Sequence, residues 1–260
     1  MSGEPDVSKP VAVVVGTRAR CVPVAGWRWA ARLAAGLALG LALGACSTIG
    51  SGPAGRGVIG SDPVPAPKIA LGDRWVYQGL DGESGDPVSL ERVVTRVSGD
   101  LVQLRQRGLD SRGRPVPGER MRSMSRTTLS LDVPGKVSGQ MRYADFPLAL
   151  GKSWDYGYQL SGQADSVTTY RVGARVDGLE RITVPAGVFD ALRIEHLGSW
   201  DTPVLVNGAV GSLSGKISAT FWYAPSVNGW ARIDLTLYRP DGSVQTRLQQ
   251  ELVSYQPAKR

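Results

Sequence analysis

Leu71-Gly72-Asp73-Arg74-Trp75-Val76-Tyr77 and Leu150-Gly151-Lys152-Ser153-Trp154-Asp155-Tyr156 share the pattern Leu-Gly-x-x-Trp-x-Tyr, 79 residues apart. Carried on without a gap, the same shift lays Arg92-Val93, Arg96-Val97 and Gly99 on Arg171-Val172, Arg175-Val176 and Gly178. It also lays Asp86, Val88 and Gly108 on Asp165, Val167 and Gly187. Twelve of 38 aligned positions are identical, against about two or three expected from average composition. A repeat on this scale bears on architecture before any single element does. It predicts two tandem copies of one unit, residues 71–149 and 150–256, packed as pseudo-symmetric halves of one β domain spanning 70–256.

Within the units the local signal is strand. Leu192, Ile194 and His196 alternate with Arg193, Glu195 and Leu197, the period of two of a half-buried strand. Val167, Thr169 and Arg171 interleave with Thr168, Tyr170 and Val172 in a β-branched and aromatic run that suits a pleated surface. Gly and Pro recur too often to leave room for long amphipathic helices. Phe221-Trp222-Tyr223, then 224–229, then 230–237 read as strand, tight loop and strand. Asn228-Gly229 supplies the left-handed conformations such a loop needs. Pro185-Ala186-Gly187 reads as a bend ahead of a strand starting near Phe189, since Pro fixes φ and Gly frees it. The expectation is a mainly β, antiparallel fold of about ten to twelve strands, as one curved sheet, a barrel or a sandwich.

Upstream, residues 33–45 are uncharged and rich in Leu, Ala and Gly, with Arg28 and Arg32 before them. The run closes on Leu43-Gly44-Ala45-Cys46. A charged region, an apolar region and a small-residue site make a secretory signal, and the cysteine makes it a lipoprotein signal. Residues 1–45 are expected to be removed and Cys46 to carry the lipid. The run is too short to span a bilayer, which takes about 20 apolar residues. The leader also exceeds the usual length of about 15–30 residues, so translation is expected to start nearer Val22 or Val24. Residues 46–69 hold Gly50, Gly52, Gly55, Gly57 and Gly60, then Pro63, Pro65 and Pro67, the composition of a flexible tether. Ser47, rather than an acidic residue, follows the cysteine, which in a two-membrane cell points to the periplasmic face of the outer membrane.

Composition narrows the chemistry. Of the formal net charge of +7, Lys9, Arg18, Arg20, Arg28 and Arg32 against Glu4 and Asp6 carry +3, leaving +4 on the remainder. That is too mild for a dedicated nucleic-acid binder. Cys21 and Cys46 are the only cysteines and His196 the only histidine. With Cys21 removed and Cys46 thioether-linked to lipid, the domain has no thiol nucleophile, disulfide or cysteine-ligated metal. No cofactor or metal site is expected, and acid–base chemistry would fall on His196 or on carboxylates.

Three segments together resemble the TapB-like bacterial lipoproteins, a family of unknown function. They are the two Leu-Gly-x-x-Trp-x-Tyr openings, the stretch from Thr183-Val184-Pro185-Ala186-Gly187-Val188-Phe189-Asp190 to Glu195, and Trp222-Tyr223-Ala224-Pro225. The resemblance spans about residues 70–255, and Val-Pro-Ala-Gly-x-Phe-Asp is its most specific part. Ser226 and Trp230 depart from the pattern, which favours Gly and a smaller residue there. The resemblance implies an antiparallel β fold in the envelope and carries over no catalytic residue.

Four tryptophans, Trp75, Trp154, Trp222 and Trp230, are candidates to line a pocket for an acyl chain or another apolar ligand, or else to fill the core. Trp222 and Trp230 flank the 224–229 loop and are the leading pair. Arg105, Arg107, Arg112, Arg114, Arg120 and Arg122 form a basic stretch opposed only by Asp110 and Glu119. It reads as a solvated hairpin or as a contact for anionic head groups. Asp190 and Glu195 lie five residues apart, so on one strand they point to opposite faces. His196 shares the side of Leu192 and Ile194 and lacks a Gly-x-Ser-x-Gly nucleophile to serve. The sequence therefore favours a non-catalytic, membrane-tethered binding module for an apolar ligand or an envelope protein. The alternative is a carboxylate-based hydrolase.

Overall fold

The computed structural model describes residues 62–80, 85–133, 135–162, 166–206 and 209–259. The leader, Cys46 and most of the expected tether lie outside the described residues. Eleven strands form one antiparallel sheet: β1 (Arg74–Leu80), β2 (Pro87–Ser98), β3 (Leu101–Gly108), β4 (Arg120–Ser125), β5 (Lys136–Gly139), β6 (Ser153–Ser161), β7 (Val167–Val184), β8 (Gly187–Val206), β9 (Ala209–Ala224), β10 (Gly229–Tyr238) and β11 (Val244–Gln256). Their order across the sheet is β4-β3-β2-β1-β11-β10-β9-β8-β7-β6-β5. Of the three architectures left open by the sequence, the curved sheet is the one observed.

The strands follow the period-two rule. Trp154, Tyr156 and Tyr158 of β6 are buried between exposed Ser153, Asp155 and Gly157. Ile217, Ala219, Phe221 and Tyr223 of β9 are buried on alternate positions in the same way. The long central strands each turn one row inward, whereas edge strand β5 is exposed throughout, so the sheet has one apolar face to cover.

Two observations show that the sheet curls over this face. Its edges, β4 and β5, are consecutive in the chain and joined by residues 126–135. Eleven flat strands would span roughly 48 Å, more than that connection reaches at about 3.3–3.6 Å per residue. The tip of the β7–β8 hairpin also folds back, with Ala186 N–H donating to the Leu252 carbonyl of β11 at 2.9 Å. β8, β9 and β10 lie between them in the sheet. The edges do not pair, so the curl stops short of a barrel.

The β4–β5 and β5–β6 connections fill the concave side. Leu129 of the first and Met141, Ala144 and Leu148 of the second are buried, and the Tyr143 ring, also in the second, stacks on Phe221 at 5.0 Å. The chain before β1 joins this layer. Val64 exchanges both backbone hydrogen bonds with Leu148, at 2.7 and 2.8 Å, Lys68 N–H donates to Asn228 Oδ1 at 3.1 Å, and Ile69 is buried. Residues 62–69, read from composition as the end of an unstructured tether, are thus docked on the domain. The Gly/Pro bias masked two apolar anchors, Val64 and Ile69.

The two Leu-Gly-x-x-Trp-x-Tyr segments open hairpins with the same turn. Gly72 and Gly151 take positive φ, 93° and 79°, a region glycine enters without a Cβ clash. Gly72 N–H donates to Val94 O at 3.0 Å, and Val94 N–H donates back to Asp73 O at 2.9 Å. Gly151, Val176 and Lys152 repeat that exchange at 2.9 and 2.9 Å. Each second strand then bulges, between Val94 and Arg96 and between Val176 and Gly178. Val94 therefore corresponds to Val176, whereas the ungapped shift placed it on Gly173, three residues earlier. The shared Arg-Val-x-x-Arg-Val run does not occupy matching places. Arg92 lies on the concave side, while Arg171 is exposed.

Candidate functional site

Counting back from the two bulges gives two matching rows across the sheet. In the first, Trp75 of β1, Arg92 of β2 and Gln106 of β3 are neighbours. In the second, Trp154 of β6, Ala174 of β7 and His196 of β8 are neighbours. Both indoles donate to a main-chain carbonyl, Trp75 to Val227 and Trp154 to Arg142, each at 2.8 Å. The rows differ in what they enclose.

Around the second row the interior is filled. His196 is fully buried, with Trp154, Tyr156, Tyr143 and Phe221 around its ring at centroid distances of 4.7–6.5 Å. Tyr156 Oη meets its Nδ1 at 3.1 Å, and its buried Nε2 makes no hydrogen bond of good geometry. Burial pushes its pKa down to about 3, an effect that the Tyr143 main chain offsets only in part. A neutral, enclosed imidazole of this kind is poorly placed for proton transfer with a solvent-borne substrate. Asp190 is six residues away on the same strand, roughly 20 Å along it, and is occupied by Arg181 at 3.7 Å. Glu195 lies on the other face, bound to Arg193.

Around the first row the interior is not filled. A cavity of about 210 Å³ opens between the sheet and the β4–β5 connection. Trp75, Tyr77, Leu104, Phe221, Trp230 and Leu248 line its sheet side, and Leu129 and Leu131 of that connection, with Tyr143 of the β5–β6 connection, its cover. An engineered apolar cavity of about 150 Å³ takes benzene, so this one has room for roughly eight to ten carbon atoms. Trp230 packs edge-on to Tyr223 at 6.0 Å and beside Phe221 at 5.0 Å. Asn228, the αL residue (φ 51°) after the Pro225–Val227 3₁₀ turn, and Gly229 close one end. A Cβ at Gly229 would stand 3.2 Å from the Trp75 indole nitrogen, so this approach of loop to indole favours glycine.

Two guanidinium groups, Arg92 and Arg122, also line the cavity. Arg92 lies over the Tyr77 ring at 5.2 Å and donates through Nε to Gln106 Oε1 at 3.0 Å. Among the described residues no carboxylate lies within ion-pair distance of it. It is half-buried and lines the cavity. Burial lowers its pKa, Tyr77 opposes that shift, and the charge of Arg122 adds to it. Guanidinium nevertheless stays charged in proteins. Burial likewise pushes the Tyr77 phenol up to about 12. Arg122 is held by Asp132, Nε to Oδ1 at 2.7 Å.

Of the four candidate tryptophans, the structure brings Trp75 and Trp230 into this cavity. Trp154 belongs to the filled half of the same core. Trp222 points to the opposite face, under the Arg232 guanidinium at 5.1 Å, with its indole N–H donated to Glu180 at 2.7 Å. Alternation separates it from its neighbours Phe221 and Tyr223, so Trp222 and Trp230 do not form a pair. The six candidate arginines are also dispersed. Arg107 binds buried Glu91, Arg105 lies 3.6 Å from Glu119, and Arg114 pairs with Asp110 at 2.8 Å. Arg112 sits in the β3–β4 loop, and Arg120 and Arg122 are on β4, whose alternation turns Arg122 inward. They form no single basic face. Sequence reasoning missed Arg92, although Leu90, Arg92 and Val94 share one alternation phase, a pattern that marks an arginine on an apolar row.

No family model matches the chain, and no curated protein matches it. The resemblance to TapB-like lipoproteins rests on the quoted segments alone. Among solved structures the chain is similar to a proposed lipoprotein from Parabacteroides distasonis ATCC 8503, at 16% identity over 75% of this chain and 100% of that one, with a TM-score of 0.38. A proposed exported protein with a YmcC-like fold from Bacteroides fragilis NCTC 9343 matches at 14% identity over 75% and 100%, TM-score 0.38. The hypothetical lipoprotein YmcC from Escherichia coli K12 matches at 10% identity over 72% and 86%, also with a TM-score of 0.38.

Proposed function

We propose that this chain is a lipid-anchored envelope protein, tethered through Cys46 at the periplasmic face of the outer membrane, whose β domain binds an apolar ligand without transforming it. The observation that supports the binding reading is the cavity between the sheet and the β4–β5 connection, lined by Trp75, Tyr77, Leu104, Phe221 and Trp230. Filling it with carbon removes apolar surface from water, at about 25 cal/mol per Å². The anchor reading rests on Leu43-Gly44-Ala45-Cys46 and the apolar run before it. The two matching hairpin openings support duplication of an ancestral β unit.

Titration with 1-octanol, followed by tryptophan emission and by calorimetry, tests the binding reading. Saturable binding that Leu248→Phe weakens by filling the cavity is expected. Absence of both signals, in protein shown to be folded, would contradict it.

A second reading, docking of an envelope protein, is favoured by one feature. The β8–β9 ribbon runs past its neighbours β7 and β10 beyond Asp201 and Lys216, and it exposes Leu205 (77%) and Val210 (78%) side by side.

A further inference from the structure

The cavity holds a charge, that of Arg92, with which no carboxylate among the described residues pairs. Arg92 stands on an inward row between Leu90 and Val94, and among the described residues it packs over Tyr77 and donates to Gln106, neither of them anionic. At the matching place in the other hairpin stands Ala174, so the fold does not require a cation there. Two other inward or buried charges have counter-ions within the chain, and buried Asp73 is satisfied by the Ala70 and Ala258 N–H groups. Glu91 receives both Arg74 and Arg107, and Arg122 has Asp132. A cation turned toward an apolar enclosure costs desolvation energy unless an anion joins it. Arg122 contributes a second guanidinium to the same lining, near enough to disfavour the charge of Arg92. Guanidinium forks suit a pair of oxygens on a carboxylate or phosphate, bound in bidentate fashion.

We propose that the cavity takes a singly chained anionic amphiphile, its carboxylate or phosphate head on Arg92 and Arg122 and its hydrocarbon against Trp75, Phe221 and Trp230. This deepens the apolar-ligand reading and rests on it. The apolar wall sets the capacity at roughly eight to ten carbons or the end of a longer chain, and the arginine pair sets the sign of the head.

Four probes of equal chain length make the test: octanoate, octyl phosphate, 1-octanol and octylammonium, each titrated calorimetrically into the full chain at neutral pH and low salt. Octanoate or octyl phosphate is expected to bind at least tenfold more tightly than 1-octanol, and octylammonium more weakly than both anions. The ratio of the two anions then distinguishes a fatty-acid head from a lipid phosphate. Equal affinity for anion and alcohol, or a preference for the ammonium, would overturn the charge assignment while leaving the apolar-ligand reading intact. Failure of all four would overturn both. Arg92→Gln supplies the residue-level arm. It is expected to bring the anions down to the affinity of 1-octanol and leave 1-octanol unchanged, while Arg92→Lys keeps most of the preference. An Arg92→Gln protein that still prefers anions tenfold would contradict the role given to Arg92.

Discussion

The indole nitrogen of Trp75 donates to the Val227 carbonyl at 2.8 Å, joining residues 152 apart in the chain. This bond fastens the first hairpin to the loop that precedes β10 and so holds the closed end of the cavity. Tyr255 stacks on the other side of the indole at 5.4 Å. Trp75→Phe keeps the stacking and strands a buried carbonyl. The expected cost is about 1–3 kcal/mol in urea unfolding. Trp222→Phe, on the half-exposed outer face where water reaches Glu180, is expected to cost less than about 1 kcal/mol. Equal costs would contradict the assignment of the two indoles to different faces.

His196 makes stability depend on pH. Its folded pKa of about 3 lies below the ordinary value of 6.5, so the unfolded chain takes up the proton first as pH falls. The contribution is complete above pH 6.5 and declines from there toward pH 3, by roughly 1 kcal/mol per pH unit. His196→Gln, the residue of the matching row at Gln106, keeps a polar partner for Tyr156. It is expected to flatten the slope between pH 6.5 and 5. An unchanged slope would show that His196 is not buried as a neutral base.

Glu91 acts in a more acid window. Burial alone would raise its pKa, but the hydrogen bonds and charges of Arg107 and Arg74 outweigh that and hold it below the usual 4.5. Its contribution is present above that value and is lost as pH falls through the lowered one. Glu91→Ala leaves two arginines crowded on β1 and β3. Because both keep some solvent contact, the cost is expected at about 2–3 kcal/mol, below that of a fully buried pair. Glu91→Gln should cost less. Thermal melts of the three proteins at neutral pH check the ranking.

The sequence disclosed most of the strand pattern and little of the site. Period-two runs such as 192–196 and 221–223 located strands because one face of the sheet is buried and the other wet. The common opening motif located two equivalent turns because only glycine enters that φ cheaply. Past the turn, Arg-Val-x-x-Arg-Val was misleading. Hydrogen bonds from the turn and the following bulge set the register, and they place Val94 opposite Val176 whatever side chains flank them. The cavity was hidden for a related reason. Its cover, Leu129, Leu131 and Tyr143, comes from two connections without periodicity, and its arginine sits on a row whose apolar members argue for core.

Cys46 carries the localisation claim. Cells expressing the tagged chain are expected to incorporate radiolabelled palmitate and to hold the protein in the membrane fraction. Cys46→Ser should lose the label and release the protein, with the domain still folded. Label retained in Cys46→Ser would remove the anchor from the account.

The most direct test of the binding claim is diffraction from crystals grown with 8-bromo-1-octanol, whose bromine marks the chain end and whose head is neutral. The account predicts an anomalous peak inside the cavity, in contact with Phe221 or Trp230, and its loss in Leu248→Phe. A cavity without bromine in ligand-saturated crystals, or bromine only on the outer face of the sheet, would contradict it.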